Sequence, residues 1–178
     1  MADVVCIYDS ESTGKNEEEH RLIEVTCRLH RLSTGAHIDT KTWRSNPLRR
    51  IDPGAAKVHG IKAEDLKNEP TFDLVAPKIA KIFSITDLLV AHNGDFFDFP
   101  FLKRDMERVG VKCEFPKTFD TMVRARWATH NGKIPTLGEL ARCLDVPYDP
   151  ALAHSAEYDT DVLAKCFFEG IRIGAFVV

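Results

Sequence analysis

Apolar runs alternate with polar turns along this chain, and they predict where its strands and helices lie. Apolar, β-favouring stretches predict four strands, over residues 3–8, 22–29, 37–43 and 88–91. Apolar residues spaced three and four apart predict helices beginning near Thr71, Phe97, Thr121, Thr136 and Ser155, with a short helix inside the loop 47–60. Pro77 conflicts with the first of these helices and predicts a kink or a later start. Strands first, then interleaved helices, predict an α/β fold with a mixed sheet covered by helices.

The first predicted strand ends in two carboxylates, Asp9 and Glu11, which are one residue apart and are followed by Gly14. Alternate residues of a strand point the same way, so these two acids can share one target. Uncompensated buried charge is costly, and a hard divalent cation is the usual compensation. Taken alone, the string is explained equally well by an acidic turn in solvent.

Two further acids lie on apolar helical faces. Asp98 is spaced with Phe101 and Leu102, three and four residues on, and Asp159 is followed in the same way by Val162 and Leu163. Three core-directed acidic sites in one small domain are hard to explain without metal. The sequence therefore favours a metal centre assembled from separate segments.

The acidic segments resemble the motifs of the DnaQ-like 3′→5′ exonucleases of the DEDDh type. The matching residues are Asp9 to Gly14, then His92, Asn93 and Asp98, then His154, Ala156 and Asp159, with a His-Gly-Ile turn at residues 59–61. Asp98 comes five residues after Asn93, whereas bacterial proofreading subunits usually have four. In this detail the chain looks more like the mammalian three-prime repair exonucleases. Ser155 stands where the tyrosine subtype carries Tyr, which favours the histidine subtype.

The resemblance implies an RNase H-like fold, with residues 1–178 as a single exonuclease domain, and two divalent ions, Mg²⁺ or Mn²⁺. Asp9 would bridge both ions, Glu11 and Asp159 would bind the ion that activates water, and Asp98 would hold the other. His154 would act as general base, because imidazole titrates near neutral pH. Glu24 and Asp120 also align with acids of the family, and we expect them to support or cap rather than bind metal.

A 3′→5′ exonuclease must also hold the end of a strand. We expect Ser12 and Thr13 to contact the terminal 3′-hydroxyl, and Ile61 and Phe97 to pack on the last base, although both could equally be core residues. His92 and Asn93 would order the second motif or touch the backbone. Stacking tolerates any sequence and works best on unpaired strands. The expected substrate is therefore single-stranded DNA or a frayed 3′ end, with release of nucleoside 5′-monophosphates.

Composition excludes some functions and leaves others open. The formal net charge is −3, which argues against a protein that coats duplex DNA non-specifically. Arg124 and Arg126 are the best candidates for phosphate contacts. Five cysteines with no CxxC spacing predict reduced core residues of a cytoplasmic protein. No apolar run approaches 18 residues and the first residues lack a basic region, so we expect neither a membrane span nor a signal peptide.

Two alternatives to DNA hydrolysis remain. The first is a 3′ exoribonuclease of the RNase T type, because sugar selectivity depends on contacts to the 2′-hydroxyl that motifs do not reveal. The second is a catalytically silent module that binds nucleic acid or a polymerase. Loss of a metal acid or of His154 would have indicated such a module, and none is lost. A polymerase or another nucleic-acid-processing protein is also an expected partner of the active enzyme.

Overall fold

The fold centres on one five-stranded mixed sheet. The structure, a computed structural model, describes residues 3–178. Met1 and Ala2 lie outside the described residues, and they belong to the stretch on which we based the expectation of no signal peptide. The strands are β1 (Val4–Ser12), β2 (Leu22–Arg31), β3 (His37–Arg44), β4 (Leu88–Ala91) and β5 (Lys117–Asp120). Their order is β3-β2-β1-β4-β5, with the first two pairs antiparallel and the last two parallel.

Seven α-helices connect and cover the strands. They are α1 (Pro53–His59), α2 (Ala63–Leu66), α3 (Phe72–Phe83), α4 (Asp98–Arg108), α5 (Thr121–Arg124), α6 (Leu137–Cys143) and α7 (Ala156–Arg172), with one 3₁₀ turn over Arg126–Ala128. Thr136 caps α6 by accepting the N–H of Glu139 at 3.2 Å, and the Glu139 carboxylate accepts the Thr136 N–H at 2.9 Å, which is a capping box. The predicted helix starts are confirmed.

The central strand β1 faces two different helical layers. Val5 and Ile7 pack in the cluster that includes α6 and α7, whereas Cys6 and Tyr8 pack in the cluster that includes α3 and α4. All four side chains are fully buried. Full burial of a large apolar side chain contributes about 1.5–3 kcal/mol to the stability of the fold. The packing of β1 therefore fixes the position of the residues at its end.

The mixed sheet flanked by helices is confirmed, but α2 was not predicted, and other details also differ. β1 extends four residues further than expected, because its polar end still pairs with β2 as far as Ser12. β5 was not predicted, because only its last two residues are buried and it is four residues long. Pro77 lies inside α3 on the exposed face, where the carbonyl left without a partner can be hydrated.

The cysteine prediction is correct in part. Cys6, Cys27 and Cys166 are buried and free, but Cys113 is only partly buried and Cys143 is exposed. Cys143 ends α6 on its outer face, so helical position rather than residue type decides its exposure. Among residues 3–178, no helix combines the length and the apolar character needed to cross a membrane.

Candidate active site

A gap opens at the sheet edge where β1 continues past its parallel neighbour β4. Pairing of β1 with β4 ends at Ile7 and Val90, while pairing with β2 continues to Ser12. Asp9 and Glu11 lie in this overhang and share one face of the strand. The carboxyl ends of parallel strands are where sheets of this type commonly bind ligands.

Asp9 and Glu11 are half-buried and face other acids. Burial, and then the charge of Asp98, raises the pKa of Glu11 to about 9. The same two effects raise the pKa of Asp9 well above its ordinary value of 3.8. The neighbouring charges that act most strongly on Asp9 belong to Asp98, Glu11 and Asp159, so the metal-free protein holds these acids together against mutual repulsion.

A fifth acid, Glu24, stands directly opposite Glu11 in the pairing of β1 with β2. Like charges in that position destabilise a sheet. Arg44 on β3 relieves the conflict by donating its Nε to Glu24 Oε2 at 2.6 Å. The Glu24 carboxylate therefore has a cation partner inside the protein. This arrangement agrees with the supporting role that we expected for Glu24.

Asp98 reaches the gap from the first turn of α4. Its side chain is 3% exposed, and its Oδ1 accepts a hydrogen bond from Ser10 Oγ at 2.6 Å. Burial raises the pKa of Asp98 to about 7, although the hydrogen bond from Ser10 acts in the opposite direction. The second acidic motif is thus joined to the first by a buried contact.

Asp159 reaches the same gap from the first turn of α7. Its Oδ2 accepts the backbone N–H of His154 at 2.9 Å, which fixes the loop before the helix. His154 has φ 63°, a left-handed conformation that is uncommon for residues other than Gly, and its side chain is exposed. Burial raises the pKa of Asp159. Its Oδ1 is buried and, within residues 3–178, has no hydrogen-bond partner.

The four acids and His154 line one open cleft of about 690 Å³. Within the described part of the chain, no three His, Cys, Asp or Glu side chains are placed as a group that could hold a metal ion. The donor set nevertheless fits a hard divalent cation, because it consists of carboxylate oxygens that repel one another. The unpartnered Oδ1 of Asp159 fits the same conclusion, since a cation would satisfy it.

The turn that contains the second motif is fastened by hydrogen bonds. Asp120 accepts the N–H of Asn93 at 3.2 Å while also capping α5. Asn93 itself has φ 73°. Both ring nitrogens of His92 are engaged, one 3.0 Å from Thr121 Oγ1 and the other 3.1 Å from the Pro135 carbonyl. His92 and Asn93 therefore hold this turn in shape, and both line the cleft.

Four of the six residues expected to contact the substrate line the cleft: His92, Asn93, Ser12 and Phe97. Ser12 lines it, with its hydroxyl bonded to the Gly14 carbonyl. Phe97 also lines it, half-buried, with its ring centroid 4.9 Å from that of Phe101.

Thr13 and Ile61 do not lie on the cleft, and this corrects our prediction for both. Thr13 is fully buried, its Oγ1 lies 3.0 Å from His20 Nδ1, and its backbone N–H and carbonyl bond within the protein. It therefore has no free group for a 3′-hydroxyl. Ile61 is 5% exposed and packs with Ile23 and Leu66, so it belongs to the core.

His59 occupies the place that we had given to Ile61. Gly60, with φ 73°, ends α1 and reverses the chain, so His59 faces the cleft and Ile61 faces the core. His59 Nδ1 accepts the Ile61 N–H at 3.0 Å, whereas its Nε2 is buried and unpartnered among residues 3–178. The His-Gly-Ile string was a signal for this residue, but side-chain direction past the turn could not be read from it. Lys15 also lines the cleft and was missed.

The two arginines favoured for phosphate contact are engaged elsewhere. The Arg124 guanidinium lies 4.5 Å from the Phe119 ring centroid, and Arg126 donates to the Gly132 carbonyl at 3.4 Å. Neither residue lines the cleft. The sequence showed their charge but not the direction of their side chains.

Comparison with known proteins agrees with this geometry. The model of the RNase_T family, described as exonuclease, matches residues 6–167. The chain belongs to this exonuclease family. It is therefore a nuclease, and membership of the family implies dependence on a divalent metal. The family match includes every acid that lines the cleft.

Relatives and solved structures extend the family match. The chain is 32% identical over 161 residues to the PolC-type DNA polymerase III of Mycoplasmopsis pulmonis, covering 90% of this chain but 11% of that protein. It is 31% identical over 168 residues to the DNA polymerase III subunit epsilon of Rickettsia typhi, covering 90% and 71%. The zinc-bound complex of E. coli exonuclease I with single-stranded DNA has a TM-score of 0.83 at 16% identity, over 97% of this chain and 41% of that one. That likeness confirms the exonuclease fold.

Proposed function

We propose that this exonuclease removes nucleoside 5′-monophosphates from the 3′ ends of single-stranded DNA, with two divalent ions, Mg²⁺ or Mn²⁺, in the cleft. The observation that carries the proposal is the convergence of four repelling carboxylates and an exposed histidine on one open cleft. We treat residues 1–178 as one exonuclease domain.

In this proposal Asp9, Glu11, Asp98 and Asp159 would hold the ions, and Asp9 would serve both. When bound, such ions neutralise charge on the phosphate and supply an activated hydroxide. Asp98 and Asp159 each have one oxygen already anchored, by Ser10 Oγ and by the His154 N–H. These anchors reduce the side-chain freedom that would be lost on binding.

His154 acts as the general base. Its imidazole is exposed at the cleft, and its backbone is fixed by the bond from its N–H to Asp159. A neutral imidazole there can take a proton from the attacking water. His154 adopts a left-handed backbone conformation, which has an energetic cost. Such strain is common where a side chain must be held in place for chemistry.

The rest of the cleft suits an unpaired strand end. Much of its remaining surface is apolar or aromatic, formed by Ala55, Val58, Phe97, Met122, Ile134, Pro135, Leu137 and Tyr148. The aromatic side chains of this set, Phe97 and Tyr148, can stack on unpaired bases of any sequence. Lys15 adds a positive charge for the phosphate, and His59 also lines the cleft.

The biological setting is proposed from the relatives. The epsilon subunit of Rickettsia typhi is named for DNA polymerase III, so a polymerase is the partner that we propose. The chain covers only 11% of the PolC-type relative. The proposed polymerase partnership therefore involves more than the region that the comparison aligned. The spacing of Asp98 from Asn93 supports the alternative setting of a three-prime repair exonuclease.

Matched substrates test strand and sugar preference. Purified protein with Mn²⁺ should digest single-stranded DNA faster than blunt duplex DNA or RNA of the same sequence. The Asp9→Asn variant measures contaminating nuclease. Equal rates on blunt duplex and single strands would contradict the strand preference, and faster digestion of RNA would show a 3′ exoribonuclease.

A further inference from the structure

Ser10 lies between Asp9 and Glu11, the two acids of the first motif, and anchors a third acid, Asp98. Because strand residues alternate, its side chain leaves the sheet on the face opposite to Asp9 and Glu11. It is 5% exposed, and its Oγ donates to Asp98 Oδ1 at 2.6 Å across 88 positions of sequence. One three-residue stretch thus supplies two acids to one face and an anchor to the other.

We propose that Ser10 is a positioning residue that orients the Asp98 carboxylate for a divalent ion. This inference rests on the proposed function, in which Asp98 is a metal ligand. The helix fixes the backbone of Asp98, and the hydrogen bond from Ser10 then fixes the rotation of its carboxylate. Partners of this kind orient metal ligands in many proteins.

Local packing alone does not account for a serine here. The preceding residues of β1 on the same face, Cys6 and Tyr8, pack in an apolar cluster, and an apolar side chain would continue that pattern. A buried hydroxyl is costly unless it is hydrogen-bonded, and Ser10 bonds to a pocket-lining acid. Asp159 has an equivalent anchor, the His154 N–H, so both acids that come from helices are held by one oxygen.

Substitutions at Ser10 separate orientation from folding. Ser10→Ala removes the donor, Ser10→Cys keeps a side chain of similar shape with a weak donor, and Ser10→Thr keeps the hydroxyl. Ser45→Ala is the matched control. Ser45 is equally buried, its hydroxyl donates to the Leu22 carbonyl at 2.8 Å, and it does not line the cleft. Far-UV circular dichroism checks that each variant folds.

The measurement is Mn²⁺ affinity by isothermal titration calorimetry, alongside hydrolysis rate against Mn²⁺ concentration. We expect Ser10→Ala and Ser10→Cys to weaken Mn²⁺ binding by about 10–100-fold, with much of the rate recovered at high Mn²⁺, and Ser10→Thr to stay near wild type. Wild-type Mn²⁺ affinity in folded Ser10→Ala or Ser10→Cys would overturn the inference, as would an equal loss in Ser45→Ala.

Asp98→Asn distinguishes failure of this inference from failure of the proposed function. If Asp98→Asn loses Mn²⁺ affinity while Ser10→Ala does not, Asp98 is a ligand and only the positioning role fails. If Asp98→Asn binds Mn²⁺ as wild type does, the ligand assignment fails, and the inference fails with it.

Discussion

Asp98→Asn should stabilise the metal-free protein while removing its activity. In the folded chain, burial raises the pKa of Asp98 from its ordinary value of 3.8 to about 7. Because the folded-state pKa is the higher one, the contribution of this carboxyl to stability is complete below the unfolded value and is lost as pH rises to about 7. At 1.36 kcal/mol per pKa unit, the loss above pH 7 has a ceiling of about 4 kcal/mol.

Asparagine removes this cost without leaving a cavity, and its carbonyl oxygen can still accept the bond from Ser10. For a chain of this size about 1 kcal/mol shifts the melting temperature by about 2–4 °C, so the ceiling is about 8–16 °C. Structural relaxation around the Asp98 carboxylate will make the actual rise in melting temperature smaller than this ceiling. We expect a rise of at least about 3 °C at pH 8 in EDTA and close to none at pH 4.

Differential scanning calorimetry of wild type and Asp98→Asn at the two pH values measures this effect. Mn²⁺ should raise the melting temperature of the wild type more than that of the variant, because binding to the folded state stabilises it. A nuclease assay on the same samples should show activity only in the wild type. A variant that melts below the wild type at pH 8, or that still hydrolyses DNA, would refute the reasoning.

Three further predictions address other parts of the cleft. Asp9→Asn should lower the rate by several orders of magnitude, measured by single-turnover hydrolysis. Glu24→Gln, whose carboxylate is bonded to Arg44, should keep most activity, and equal losses would contradict the assignment. His154→Ala should lower kcat by about 10²–10⁴-fold and remove the acid limb of the pH–rate profile, and persistence of that limb would exclude His154 as the base. Lys15→Ala should reduce the slope of log affinity against log salt for single-stranded DNA by about 0.7, and an unchanged slope would show that Lys15 contacts no phosphate.

The features that sequence predicted well are those that depend on local pattern. Asp98 and Asp159 could be placed on inward helical faces because the apolar residues around them repeat at helical spacing. Asp9 and Glu11 could be placed on one face because a strand alternates. Thr136 could be named as a helix start because its capping of α6 is a local interaction, whereas Ser155 precedes α7 without a side-chain capping bond.

The features that sequence did not predict depend on tertiary contacts. The pairing of Ser10 with Asp98 and of Arg44 with Glu24 joins residues 88 and 20 positions apart. His59, and not Ile61, lines the cleft because Gly60 turns the chain between them. No local pattern states which side chain faces a cleft after such a turn, because the packing partners on either side decide it.

Hydrolysis of one linear strand of DNA, labelled at its 5′ end, tests the central claim most directly. The claim is that the four carboxylates form a metal-dependent centre that acts at 3′ ends. With Mg²⁺ or Mn²⁺ the wild type should give a descending ladder and release nucleoside 5′-monophosphates. Excess EDTA should stop the reaction, and a circular strand of the same sequence should stay intact. Digestion in excess EDTA, or cutting of the circle, would contradict the account.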